Sequence, residues 1–144
     1  MSELHHTAAA LRVMGEDLDP DEISRLLGGE PTFAQRKGDE LIGRVTKRVR
    51  VAKSGMWSIS VPDREPGDIN GQITEILNPL SQDTGIWRDI ADRYRIDLFC
   101  GLFMGSGNDG LSISAESLLA LGSRGIEIDF DIYDGGSDEE EAIS

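Results

Sequence analysis

At 144 residues the chain fits one domain, and its single cysteine excludes an internal disulfide, which suits the cytoplasm. A net charge of −13 argues against duplex DNA or an anionic membrane as the principal ligand. No stretch has the pattern of a signal peptide or the length of a membrane span. The acid is unevenly placed: Asp134, Asp138, Glu139, Glu140 and Glu141 contribute −5, which leaves −8 for residues 1–133.

Residues 1–6 read as a flexible polar leader carrying His5 and His6. Thr7–Met14 is a short apolar-leaning strand. Asp19 is placed to cap a helix, with Pro20 at its first position, Glu22 at its third, Ile23, Leu26 and Leu27 on one side and Gly28 or Gly29 as the stop. Residues 30–43 are loop-like. Arg44–Val51 alternates, with Val45, Val49 and Val51 sharing a face, and residues 52–55 would connect it as a hairpin to a strand over Met56–Val61.

Asp68 caps a helix whose Ile69, Ile73, Ile76, Leu77 and Leu80 recur at helical spacing, ended or kinked by Pro79. A second helical run, Asp83–Tyr94, aligns Ile86, Trp87, Ile90, Ala91 and Tyr94. Ile96–Met104 has period two, with Ile96, Leu98, Cys100, Leu102 and Met104 on one face and Asp97, Phe99, Gly101 and Phe103 on the other, which predicts a central strand. After the turn-forming residues 105–110, Ser114 caps a helix with Leu118, Leu119 and Leu121 as its apolar stripe and Gly125 beyond its end. Residues 126–133 form a strand with one apolar and one acidic face, and residues 134–144 form a disordered acidic tail.

This order predicts an α+β fold: a largely antiparallel sheet with helices on one face, built on a ferredoxin-like β-α-β-β-α-β core plus an appended helix and strand. The domain would span residues 7–133.

Several local patterns suggest chemistry, and each has a plainer explanation. Asp17, Asp19 and Asp21 have calcium-like spacing, but Pro20 intrudes and the sixth-position glycine is missing. Glu127, Asp129 and Asp131 form a carboxylate row, for which a solvated face or pairing with Arg44, Arg48 and Arg50 suffices. Gly105, Gly107 and Gly110 fit G-x-G-x-x-G, but the helix starts too late for a dinucleotide site. Cys100 sits mid-strand among apolar neighbours and reads as an inert thiol. These readings leave no catalytic residue, metal ligand or cofactor to assign.

The most asymmetric feature is basic. Residues 36–53 hold seven of the fourteen Lys and Arg residues and carry +5. Arg36, Lys37 and Trp57, with Arg44, Arg48 and Arg50, are therefore the candidate binding residues, since arginine grips carboxylate or phosphate and tryptophan offers a flat apolar platform. If strand alternation turns Trp57 inward, the arginines remain. Edge protection by charge explains the same cluster without a ligand.

The segments LRVMGEDLDPDEISRLLGGEPT, RKGD, GMWSIS, LFCGLF and LSISAESLLALGSRGIEIDFDIY together resemble the bacterial family catalogued as Domain of Unknown Function 4279, over nearly all of residues 11–133. The resemblance implies no activity and no catalytic residues. The expectation is a non-enzymatic binding protein, immunity-like or regulatory, acting on a protein partner as monomer or homodimer. The alternative is a binder of a small anion, or a small enzyme, using the basic surface.

Overall fold

The computed structural model describes residues 2–134, of which the side chains of Ser2 and Glu3 are not described. In chain order the elements are β1 (Ser2–Glu3), β2 (His6–Gly15), α1 (Pro20–Leu27), β3 (Phe33–Gln35), β4 (Glu40–Ile42), β5 (Val49–Val51), β6 (Gly55–Arg64), α2 (Ile69–Leu77), α3 (Thr84–Arg93), β7 (Arg95–Phe103), β8 (Asp109–Gly110), α4 (Ala115–Gly122) and β9 (Glu127–Tyr133).

The main sheet has the order β3-β6-β2-β7-β9. β2 is central because both its edges are paired, antiparallel to β6 and to β7, with Leu11 opposite Ile59 and Leu98. Two connections leap over a strand: β2–α1–β3 spans β6, and β6–α2–α3–β7 spans β2. These are split β-α-β units. β9 then adds parallel to β7 after α4. The fold is thus α+β with a mainly antiparallel sheet.

Alternate strand positions explain the core. Ala9, Leu11 and Val13 of β2, Trp57 of β6 and Ile96, Leu98, Cys100 and Leu102 of β7 join Ile23, Leu27, Ile73, Ile76, Trp87, Ile90 and Leu121 of the helices in one buried cluster. The helices therefore cover a single face. Burial pushes the Cys100 thiol up to about 12, which removes the thiolate that reactivity requires.

The caps follow the sequence signals. Asp19, Asp68, Asp83 and Ser114 each accept a backbone N–H from the first turn of their helix. Gly28 closes α1 at φ 75°, a left-handed conformation that suits glycine. A buried polar network fixes the start of α2 against β2. Thr7 Oγ1 donates to Gln72 Oε1 (2.7 Å) and accepts from the Asp68 backbone (2.8 Å), while Gln72 Nε2 donates to the carbonyls of Thr7 and Pro62.

Five expectations are corrected. Arg44–Val51 is not one strand: residues 44–46 turn, Lys47 lies at φ 57°, and Gly43 N–H donates to the Arg48 carbonyl (2.9 Å), so the chain reverses inside the predicted strand. The hairpin is β4–β5, with Ile42 opposite Val49, and β5 does not pair with β6. The predicted loop over 30–43 accordingly contains β3 and β4.

On α4 the three leucines do not share a buried face. Asn70 Oδ1 accepts from Ser114 N–H (2.9 Å) and Ser117 Oγ (2.8 Å), which sets the helix rotation. Ser117 and Leu121, four residues apart, face inward, while Leu118 and Leu119 (71% exposed) face solvent. The leader is tied down: β1 pairs in parallel with β8, Leu4 is buried, and His5 N–H donates to the Phe103 carbonyl. The expected disordered tail falls, beyond Asp134, outside the described residues.

Candidate interaction surface

The predicted basic surface divides into three parts. Trp57 is wholly buried and leaves the surface. It lies on the same side of β6 as Ile59 and Val61, and its Nε1 donates to Ser24 Oγ at 2.9 Å. The tryptophan platform is therefore a core residue, as strand alternation dictates.

Arg36 and Lys37 remain at the surface but are committed within the chain. Arg36 Nη2 lies 2.8 Å from carboxylate oxygens of both Asp19 and Asp21, and Lys37 pairs with Glu16. The mutual bond raises the pKa of Lys37 and lowers that of Glu16. Two carboxylates of the calcium-like run therefore face a guanidinium. The arrangement fastens the base of the β4–β5 excursion to the β2–α1 turn. Backbone bonds between Gly38 and Ala52 and between Ala52 and Asp39 continue the same stem.

Arg44, Arg48 and Arg50 lie on the excursion itself, with Lys47 and Lys53. Among the described residues none of these five cations forms an ion pair. Between them stand exposed apolar side chains: Ile42, Val49, Val51 and, at the tip, Val45 with 93% of its surface in water. β4 and β5 pair only with each other, as a two-stranded sheet apart from the main one. Apolar tip and unpaired cations are brought together here; Trp57 is not, and Arg36 and Lys37 position the stem.

The face of the main sheet opposite the helices holds a second charged region, of which the sequence singled out only the carboxylate row on β9. Arg12 of β2 and Asp97 of β7 are directly paired in register. They form a two-pronged bond, Nε to Oδ1 at 2.8 Å and Nη2 to Oδ2 at 2.6 Å, and Asp97 is wholly buried. The Arg12 guanidinium also sits 4.4 Å from the centre of the Phe99 ring. Arg95 reaches Asp129 at 2.9 Å, Glu127 at 3.6 Å and Asp97 at 3.7 Å. Glu127 and Asp129 of the carboxylate row on β9 thus meet Arg95, and Asp131 accepts from the Tyr133 hydroxyl, so the row does not pair with Arg44, Arg48 or Arg50.

The two aspartates shift in opposite directions. Burial alone would lift Asp97, but the Arg12 fork, a hydrogen bond shared with Asp129 and the charges of Arg12 and Arg95 together hold it below its ordinary value. That shared hydrogen bond, lost hydration and repulsion from Asp97 raise Asp129 against the pull of Arg95. A signal for this pair exists in the sequence: Arg12 is the one Lys or Arg of β2 and Asp97 the one carboxylate of β7.

Further along this face His6, Phe103 and Tyr133 stack in turn, with centroids 3.9 Å and 4.6 Å apart. Among the described residues no group of three or more His, Cys, Asp or Glu side chains is arranged to hold a metal ion. None of the described helices is long and apolar enough to cross a membrane.

These features define an α+β domain with an ionic sheet face and a projecting basic hairpin. The chain belongs to the family described as Domain of Unknown Function 4279, whose model matches residues 3–135. No curated protein and no solved structure matches it.

Proposed function

We propose that this protein is a non-enzymatic binding protein of the bacterial cytoplasm, immunity-like or regulatory, and that its β4–β5 hairpin docks on an acidic surface of a protein partner. One observation carries the reading: Val45, Val49 and Ile42 stand in water among cations with no ion pair among the described residues. Burying one such side chain contributes about 1.5–3 kcal/mol. The cations supply steering and specificity toward carboxylates. The remainder of the chain is strongly acidic in net charge, which disfavours docking of an acidic partner elsewhere. Arg36 and Lys37 serve the surface indirectly, by fixing the stem.

A photo-crosslinking residue at Val45, introduced at native expression level, tests the proposal. The expected adduct is with an acidic segment of another protein. It disappears when Arg44, Arg48 and Arg50 are all changed to Glu. Adducts confined to a second copy of this chain would replace the partner by self-association. Absence of any adduct, or one indifferent to charge reversal, overturns the reading.

A further inference from the structure

Away from the hairpin, α2 and α4 border a cleft of about 530 Å3, inside the range that holds small molecules (roughly 300–1,000 Å3). Ile73, Leu77 and Ala120 give it apolar wall, Asn78 and Gln82 give it amides, and Arg124 completes it. Arg124 is only 7% exposed. It follows the C-terminal turn of α4, and that turn runs through Gly125 at φ 75°, where a Cβ would strike Ala91 at 2.8 Å.

Every group that Arg124 touches is neutral. Nη1 donates to the Ala120 carbonyl at 2.8 Å, Nη2 donates to Gln82 Oε1 at 3.0 Å, and the guanidinium lies 5.7 Å from the centre of the Trp87 ring. Among the described residues Nε is buried with no hydrogen-bond partner, and no carboxylate pairs with the side chain. Burial pulls its pKa down, yet arginine stays protonated at any ordinary pH. A cation is therefore held in the wall of a cavity with no ion pair among the described residues, although Glu116 lines the same cleft, in a chain with 27 acidic residues. Such a charge is costly unless something anionic completes it.

We infer that the α2–α4 cleft binds a small carboxylate-bearing molecule, with Arg124 as the counter-ion and an amphipathic ligand body against the amides and the apolar wall. The guanidinium fork matches a planar carboxylate. A dianion such as phosphate fits less well. There is one arginine, Glu116 also lines the cleft, and the carbonyl end of α4 is close by through Ala120, each adding negative potential. The site lies on other elements than the hairpin and does not depend on it.

The test uses the full chain, labelled with 15N, and three probes: N-acetyl-leucine, its neutral carboxamide and inorganic phosphate. N-acetyl-leucine is expected to shift the amides of Ile73, Leu77, Ala120 and Arg124 saturably, and the carboxamide and phosphate to bind at least tenfold more weakly, a difference of about 1.4 kcal/mol. Arg124→Gln is expected to fold and to lose the preference for acid over amide. Thr74→Trp, at an exposed position of α2 on the cleft, is expected to block the acid while leaving Arg124 in place, and it decides the matter if Arg124→Gln does not fold. Equal binding of acid and amide, tighter binding of phosphate, acid binding unchanged in both variants, or no saturable shift up to about 10 mM, beyond a millimolar Kd, overturns the inference.

Discussion

The outer sheet face around Asp97 and the β4–β5 hairpin both concentrate charge, and they dispose of it differently. On the sheet face each guanidinium meets a carboxylate: Arg12 forks onto Asp97, and Arg95 reaches Asp129. On the hairpin Arg44, Arg48 and Arg50 meet none among the described residues, and the valines beside them stay in water. The same residue type thus serves the fold in one place and is left open in the other. Ion pairs that close within the chain bear on stability; unpaired charge interleaved with exposed apolar surface bears on what the chain meets.

The sharpest way to break the comparison is at Asp97. Asp97→Ala leaves the Arg12 guanidinium half-enclosed without its carboxylate. The expected loss is about 3 kcal/mol, or roughly 10 °C in Tm at 3–4 °C per kcal/mol for a domain near this size. A loss below about 1 kcal/mol would place the pair among ordinary surface ion pairs. Changing both partners to apolar residues, Arg12→Met with Asp97→Leu, should recover most of that loss, to within about 1 kcal/mol of the parent. Chemical denaturation of Arg12→Met, Asp97→Leu and the double variant measures the coupling directly.

The sequence made these regions legible to different degrees. The caps at Asp19, Asp68 and Ser114 were readable because capping is settled within four residues. The interior strand β7 was readable from its period of two, whereas the same alternation allowed an inward turn of Trp57 without deciding it against the binding platform that burial overturns. The Arg12–Asp97 pair joins residues 85 apart, and no local pattern specifies which strands will be neighbours. The hairpin was misplaced for a related reason. Val and Arg alternate from Arg44 to Val51 as they would in a strand, yet the chain turns over residues 44–46 just after Gly43 and reverses through Lys47, a left-handed position that holds no glycine. The basic cluster was visible by counting charges. Its division into a committed stem, Arg36 and Lys37, and an open tip depended on where Glu16, Asp19 and Asp21 fold back.

A smaller effect sharpens the sheet-face side through pH. Asp97 has a lowered pKa, so its contribution to stability is complete above the ordinary aspartate value of about 3.9 and is lost as pH falls through the folded value. Asp129 has a raised pKa, so its contribution is complete below the unfolded value and is lost as pH rises through the folded one. Asn mimics the protonated carboxyl at position 129. The Tm of Asp129→Asn should therefore improve relative to the parent as pH rises from 3 to 7, and thermal scans across that interval check the sign. A difference that moves the opposite way would show that the Arg95 pairing outweighs the repulsion from Asp97.

The smallest expected effect on stability is on the hairpin, and there it coincides with the largest expected effect on binding. Changing Arg44, Arg48 and Arg50 together to Glu removes no ion pair among the described residues and uncovers no core side chain. Exposed substitutions of this kind usually fall within about ±0.5 kcal/mol each. Added negative charge on an already acidic chain pushes the result toward the unfavourable end at low salt, and screening by about 0.15 M salt should remove most of that. The parent and the triple variant should consequently melt within about 5 °C of each other at that ionic strength. Partner association of the parent should weaken as salt is raised, and the variant should show no association to weaken. If the variant instead melts far below the parent, the hairpin cations are bound into the fold as Arg12 is, and the distinction between the two regions fails. If it folds and still associates with unchanged salt dependence, the distinction holds but the hairpin is not the docking surface.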